Sequence, residues 1–364
     1  MKPTVKHSFP SRTLQNWEIA AIKELEGTGS IEKLTFEKAG LKMKAYYTAE
    51  DTVTSQLPPL QSSIGSYTDA RHWVTMPKVL VEDVKQANSI AHFHLQNGAD
   101  GIYFVLDGSS DNPEALLDKI ELPYCSVSFL ATSLNAPFLA SFHAYAEKKF
   151  DKDQINGNIF WDKNLDNGLV KKFKDWKSFQ SKGMMVASQP KAEDEIANAL
   201  YNTVENIEKQ LENGLSVEQA FGQVAFSVSI GNDFFLEAIK LRVLRVLWSS
   251  IANAYHIHLN KPVFIHAFSP AWVNPAFQPH GNLIKETYSA FAAILGGCNG
   301  LTLDTEVQNH PMMSRVARNT TSVLREESFL SQVADPLAGS YFVESASHQL
   351  AEKTWGKFQE LTRT

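Results

Sequence analysis

Seven polar residues stand where short apolar runs give way to text at helical spacing: Asp107, Ser128, Asp162, Ser188, Ser229, His266 and Asp304. If those runs are parallel strands, these are the carboxyl-end positions where barrels gather their chemistry. The set offers carboxylates and an imidazole for proton transfer, and hydroxyls for hydrogen bonding. Each type also has a commoner role. An Asp after a strand is often the N-cap of the next helix, because its oxygen satisfies orphan backbone N–H groups. That is the expected role of Asp107 and Asp162, whereas Asp304, before Thr305 and Glu306, stands between cap and site. His266 lies inside an apolar run, where a lone histidine is more often a satisfied core residue than a base.

Metal-ligand spacing is unpersuasive. His92 and His94 sit two apart on helical text and so point to different faces, and His256 and His258 flank a helix end. Cys125 and Cys298 have no CxxC partner and no histidine at zinc-finger spacing. No GxxxxGK[ST] phosphate loop and no GxSxG elbow occurs. No arginine falls between Arg71 and Arg242, so the early half of the barrel cannot offer a guanidinium fork to a carboxylate or phosphate. Arg242 and Arg245, and then Arg315, Arg318 and Arg325, follow on two later helices, where solvated helix faces are their expected setting.

The elements that would position these residues repeat. Short β-type runs recur at 72–76, 101–106, 125–130, 157–161, 183–187, 224–230, 262–268 and 300–303, separated by helical text that includes 81–96, 137–149, 192–212, 233–255 and 282–295. Eight strand–helix units predict a (β/α)8 barrel, with an open doubly wound sheet as the competitor, weakened by the lack of GxGxxG after the first strand. Before the barrel, residues 1–71 read as an arm: a helix at 13–26, a hairpin at 35–47 around Gly40, and an extended connector at 52–66 carrying Pro58-Pro59. Residues 72–328 form the predicted barrel. Residues 329–364 form a C-terminal extension: a turn at 335–340, the apolar run Tyr341-Phe342-Val343, and a last helix at 347–361.

The chain has 364 residues, 43% of them hydrophobic, 20% charged and 11% aromatic, enough for a sizeable core without staples. A net charge of −6 gives no general attraction to nucleic acid or anionic lipid. Two cysteines fit a reduced, cytoplasmic setting. The first residues lack the apolar core of a signal peptide, and no 18-residue apolar run exists, so no membrane partner is expected.

Several segments carry a family likeness. The stretch 35–51 (TFEKAGLKMKAYYTAED) resembles the opening segment of the methylmalonyl-CoA mutase family, and GNDFFLEAIKLR at 231–242, running on to Leu247-Trp248, resembles its most characteristic helix. Arg315-Val316-Ala317-Arg318-Asn319-Thr320, Glu326-Glu327-Ser328 and DPLAGSYFVE at 335–344 match further signatures in order. The resemblance covers about residues 30 to 360. It implies a barrel with an acyl-CoA along its axis, a separate flavodoxin-like domain for adenosylcobalamin, and a radical rearrangement of a thioester whose hard step belongs to the cofactor.

The departures from the family pattern are concentrated at the site. The catalytic RGPYxTMY segment corresponds to 61–67, where its tyrosine has no secure counterpart. The strand-four glutamine falls at Phe160, the carboxylate-binding arginine near Val170, the thioester histidine of YHMQE at Ser188, and the later glutamine of GHTQSLHT at Gly300. The arginine of RTHSQTSGW has no counterpart in 264–272, and no Asp-x-His occurs in the chain.

These losses imply the small, non-catalytic subunit of a heterodimeric mutase, with no cofactor bound by this chain and adenosylcobalamin held by a large catalytic partner; a homodimer is the alternative when the chain is alone. Two other readings stand beside it. One is an acyl-CoA mutase barrel active with a separate cobalamin-binding chain. The other is a re-purposed barrel using His266 and Asp304. Length supports the first, because a barrel with its arm and tail leaves too little chain for a further domain of roughly 100–150 residues.

Overall fold

A computed structural model describes residues 13–25, 31–51, 70–107, 112–162, 165–257, 261–270, 281–305, 307 and 310–363. The connector expected at 52–66 and the stretch 61–67 lie outside the described residues. Helix α1 (Leu14–Glu24) starts at a capping box in which the Asn16 amide donates to Thr13 Oγ1 at 3.2 Å. The hairpin β1 (Phe36–Lys38) and β2 (Leu41–Met43) turns through Ala39 and Gly40 at φ 50° and 76°, a left-handed pair that suits Gly at the second position.

Nine parallel segments build the barrel wall: β3 (Val74–Thr75), β4 (Lys78–Val81), β5 (Gly101–Leu106), β6 (Ser126–Ala131), β7 (Gly157–Trp161), β8 (Phe179–Val186), β9 (Val224–Ser229), β10 (Phe264–Ser269) and β11 (Gly300–Leu303). β3 and β4 are two halves of one strand, broken at Met76-Pro77 because proline has no N–H to give a ladder. The front half pairs with β11 and the rear half with β5, so the sheet closes on itself. Two bonds carry the seam past the break: the Asp100 amide donates to the Thr75 carbonyl at 3.1 Å and the Tyr103 amide to that of Pro77 at 3.0 Å. The expected (β/α)8 barrel is therefore present.

Around the wall lie α2 (Val84–Gln96), α3 (Pro113–Leu116), α4 (Ala136–Lys149), α5 (Asn167–Lys172), α6 (Ala192–Glu212), α7 (Val217–Gly222), α8 (Phe234–Ala254), α9 (Gly281–Leu295) and α10 (Pro311–Glu326). Aromatic rings fill one flank between strands and helices, with Phe142 at 4.9 Å from Phe129 and 6.1 Å from Trp176. The run at 341–343 is not separate from the last helix. It is the first turn of α11 (Tyr341–Arg363), and Val343, Ala346 and Leu350 join the core beneath α6 and α8.

The later arginines do not lie on solvated faces, except Arg315, which is exposed. Arg242 is buried against Asp335 and Glu344. Arg245 donates to the carbonyls of Val263 and Gly297, each at 2.7 Å, and burial, with Arg71 nearby, pushes its pKa down to about 10. Arg325 donates to the Trp73 carbonyl at 2.6 Å and pairs with Asp100 at 2.8 Å. These guanidinium forks tie chain ends and carbonyls together, a use that spacing alone did not reveal.

Candidate functional site

Inward-facing strand residues meet along the barrel axis. Met76, Tyr103, Phe160 and Ala225 form a buried cluster, with Val105, Leu130, Met185 and Phe264 packed against it. The Tyr103 ring lies 4.8 Å from the His266 imidazole and 6.0 Å from Phe160, and Phe160 lies 5.2 Å from His266. A Cβ on Gly300 would strike the Met76 methyl and approach Phe264, so the glycine lets these side chains close across the axis. Gly183 does the same for the Phe160 ring. The interior is packed as barrel interiors are, by side chains from alternate strands.

The polar groups inside this packing are paired, except the side-chain oxygen of Asn158, which is buried without a hydrogen-bond partner. Thr302 Oγ1 donates to the Met76 carbonyl at 2.6 Å and so accepts from His266 Nε2 at 2.8 Å. His266 Nδ1 is then left to accept from Ser227 Oγ at 2.8 Å, which fixes a neutral imidazole with its proton on Nε2. Burial pushes the His266 pKa down to about 3. The Tyr103 hydroxyl meets Ser227 as well, and burial raises its pKa. Ser128 accepts from Asn158 Nδ2 at 3.3 Å and faces the Met76 sulfur at 3.6 Å.

A serine hydroxyl on an imidazole has the make-up of an activated nucleophile. Here both residues are fully buried, and a histidine with so low a pKa is a weak base at neutral pH.

The other expected positions are spread around the rim. Asp107 and Asp162 are exposed at the ends of β5 and β7. The following helices take their N-caps from Asn112 and Asp166 instead, because those residues sit immediately before α3 and α5. Asp304 forms an ion pair with Lys78 at 2.6 Å and accepts from the Thr305 amide at 3.0 Å. The Ser229 carbonyl accepts from Lys240 Nζ at 3.0 Å, and that ammonium also bridges Glu195 at 3.0 Å and Glu237 at 2.6 Å. Burial raises the Glu195 pKa against the pull of Lys240. Ser188 is exposed after β8, and Val170 is buried in α5. Of all these, only Ser128, Phe160, His266 and Gly300 meet in one place, the axis.

Sequence reading missed Tyr103 and Lys78. Tyr103 sits within an unbroken apolar run, where nothing separates inward from outward residues, and Lys78 follows a proline that hides the strand. Among the described residues no group of three or more His, Cys, Asp or Glu side chains could hold a metal ion. Both cysteines are free, and no described helix is long and apolar enough to cross a membrane.

Fold and interior together define a (β/α)8 barrel whose axis is occupied by its own side chains. Residues 169–364, more than half of the chain, match the family model for methylmalonyl-CoA mutase. The chain belongs to the methylmalonyl-CoA mutase family. It is similar to the methylmalonyl-CoA mutase of Rhizobium meliloti, at 26% identity over 96% of this chain and 58% of that protein. It is also similar to the methylmalonyl-CoA mutase small subunit of Porphyromonas gingivalis, at 26% identity over 96% of this chain and 63% of that one. A shorter match, 31% identical over 46% of this chain and 27% of the relative, is to the small subunit of Propionibacterium freudenreichii subsp. shermanii. The chain thus spans about three fifths of the length of the first two relatives.

Proposed function

We propose that this chain is the barrel of a small, catalytically silent subunit of an adenosylcobalamin-dependent methylmalonyl-CoA mutase. It works in the cytoplasm beside a large catalytic subunit that interconverts methylmalonyl-CoA and succinyl-CoA. The module spans 72–328, flanked by the arm at 1–71 and the extension at 329–364. One observation carries the reading: Tyr103, Phe160, His266 and Met76 occupy the axis that an acyl chain would need. The small-subunit relatives favour it as well.

Asp-x-His is absent from the sequence, and His266 has both nitrogens engaged inside the barrel. The role of this chain is to stabilise the catalytic subunit across a pseudo-symmetric interface, as expected when paralogous chains replace a two-fold dimer.

The test is co-expression with the large subunit. A stoichiometric complex is expected, with mutase turnover only in the complex and neither turnover nor a cobalamin spectrum from this chain alone. Rearrangement of methylmalonyl-CoA by this chain with cobalamin but without the large subunit would overturn the proposal. It would favour the barrel that is itself active.

A further inference from the structure

Five Asn-Gly pairs occur in the chain: Asn97-Gly98, Asn156-Gly157, Asn167-Gly168, Asn213-Gly214 and Asn299-Gly300. Asparagine before glycine hydrolyses without an enzyme, because glycine has no Cβ to keep its amide nitrogen away from the preceding side-chain amide. The fold protects the five pairs unequally. Asn299 Oδ1 accepts from the Ile265 amide at 3.0 Å and from Arg245 at 2.9 Å, and Gly300 is buried in β11. Gly157 is buried in β7, and Asn167 Oδ1 accepts from Gln210 at 3.2 Å.

Asn97 and Asn213 are different. They are exposed C-caps, of α2 and α6, and each is followed by a glycine at positive φ with open space around it. At ψ 25° and 8° both caps hold the glycine nitrogen turned away from the asparagine Cγ, so a cap must open before the two can react. The Gly214 amide donates to the Leu211 carbonyl at 2.9 Å, whereas the Gly98 amide reaches the Leu95 carbonyl only at 3.4 Å. The longer, weaker bond marks the cap that opens more readily.

We propose that Asn97-Gly98 is a site of spontaneous hydrolytic modification, at which Asn97 becomes isoaspartate and loosens the seam of the barrel. The Gly98 nitrogen bonds to Asn97 Cγ and gives its proton to the departing side-chain nitrogen, which leaves as ammonia. Water then opens the resulting cyclic imide at its main-chain carbonyl. The backbone now runs through the former side chain and is longer by a methylene. This stretch is the tether of the seam: the Asp100 amide donates to the Thr75 carbonyl at 3.1 Å, and Asp100 Oδ2 accepts from the Thr75 amide at 2.9 Å. The new carboxylate also faces the unfavourable end of the α2 dipole, and the bond from Asn97 Nδ2 to the Phe93 carbonyl, 2.7 Å long, is lost. The site is independent of the axis and of the subunit role above.

Incubation of the full chain in warm, mildly alkaline buffer tests this, with tandem mass spectrometry locating each aspartate and isoaspartate. Asn97 should convert first, severalfold faster than Asn213, and Asn299 should stay intact. In denaturant, where no cap remains, the five pairs should convert at similar rates. A native chain in which Asn97 converts no faster than Asn213 or Asn167 would overturn the site. Hydrogen exchange tests the consequence: the Val74 and Met76 amides should exchange faster in aged than in fresh protein. Asn97→Gln, which cannot close the same ring, should keep the fresh rates after equal incubation. Unchanged exchange in converted protein, or equal ageing of the variant, would overturn the link to the seam.

Discussion

Arg242 of α8 bridges Asp335 and Glu344, joining through one buried guanidinium two of the family signatures in the chain. The Asp335 bond comes from Nη1, and Nη2 reaches Glu344 Oε1 at 3.5 Å. Asp335 itself is 3% exposed. Arg242→Leu would remove this cation from beside two buried carboxylates, a change that typically costs about 3–5 kcal/mol. Urea unfolding should show that loss, and Arg242→Lys should recover only part of it, because an ammonium cannot fork to two carboxylates. A loss below about 1 kcal/mol for Arg242→Leu would contradict the strut role.

Phe160→Ala should lower stability by about 3–5 kcal/mol, the usual range for emptying a phenylalanine site in a packed core. The void beside Tyr103 and His266 should take up xenon, detectable by crystallography under pressure. It should not create mutase turnover.

Low pH should destabilise the protein through two histidines. His266 has a pKa of about 3 and His94 of about 4, both lowered first by burial, and for His94 by Arg318 as well. In the unfolded chain each returns to near 6.5. Between pH 6.5 and these values the unfolded state binds more protons, so the stability present above pH 6.5 is lost as pH falls. Each histidine contributes a slope of about 1.4 kcal/mol per pH unit in that window. His266→Asn should reduce the slope between pH 4 and 6 by about that amount, measured by denaturant titration at several pH values.

Lys182 is fully buried, and its Nζ has no partner among the described residues. Burial lowers its pKa to about 7. Above that value the native state has shed a proton that the unfolded chain keeps, so stability should rise from pH 7 to about 9. Burial of Cys298 and Tyr103 opposes their ionisation and should reverse the trend at higher pH. Lys182→Met should be more stable than the parent at pH 7 and should lack the rise.

The barrel was legible because its strands, covered on both faces, are short continuous apolar runs between amphipathic helices. The predicted 192–212 helix coincides with α6, for example, because its apolar spacing runs unbroken between polar ends. The filling of the axis was not legible. Phe160 reads the same whether it points to the axis or to the helices, and only the barrel's closure decides. The broken strand was missed because Pro77 removes a ladder bond in mid-run. In sequence Arg242 and Arg318 look like surface cations because their partners, Asp335 and His94, lie 93 and 224 residues away.

The two-piece first strand has a mechanical consequence. β3 meets β11 through only two residue pairs, Val74 with Gly300 and Thr75 with Leu301, although these join opposite ends of the barrel. Such distant pairings bear the largest loop-closure cost, which makes this short ladder the barrel's clasp. Helix α10 is its pin. Thr321 holds Thr75, and Arg325 holds Trp73 and Asp100. Exchange of the Val74 and Met76 amides therefore reports how firmly the ring is fastened.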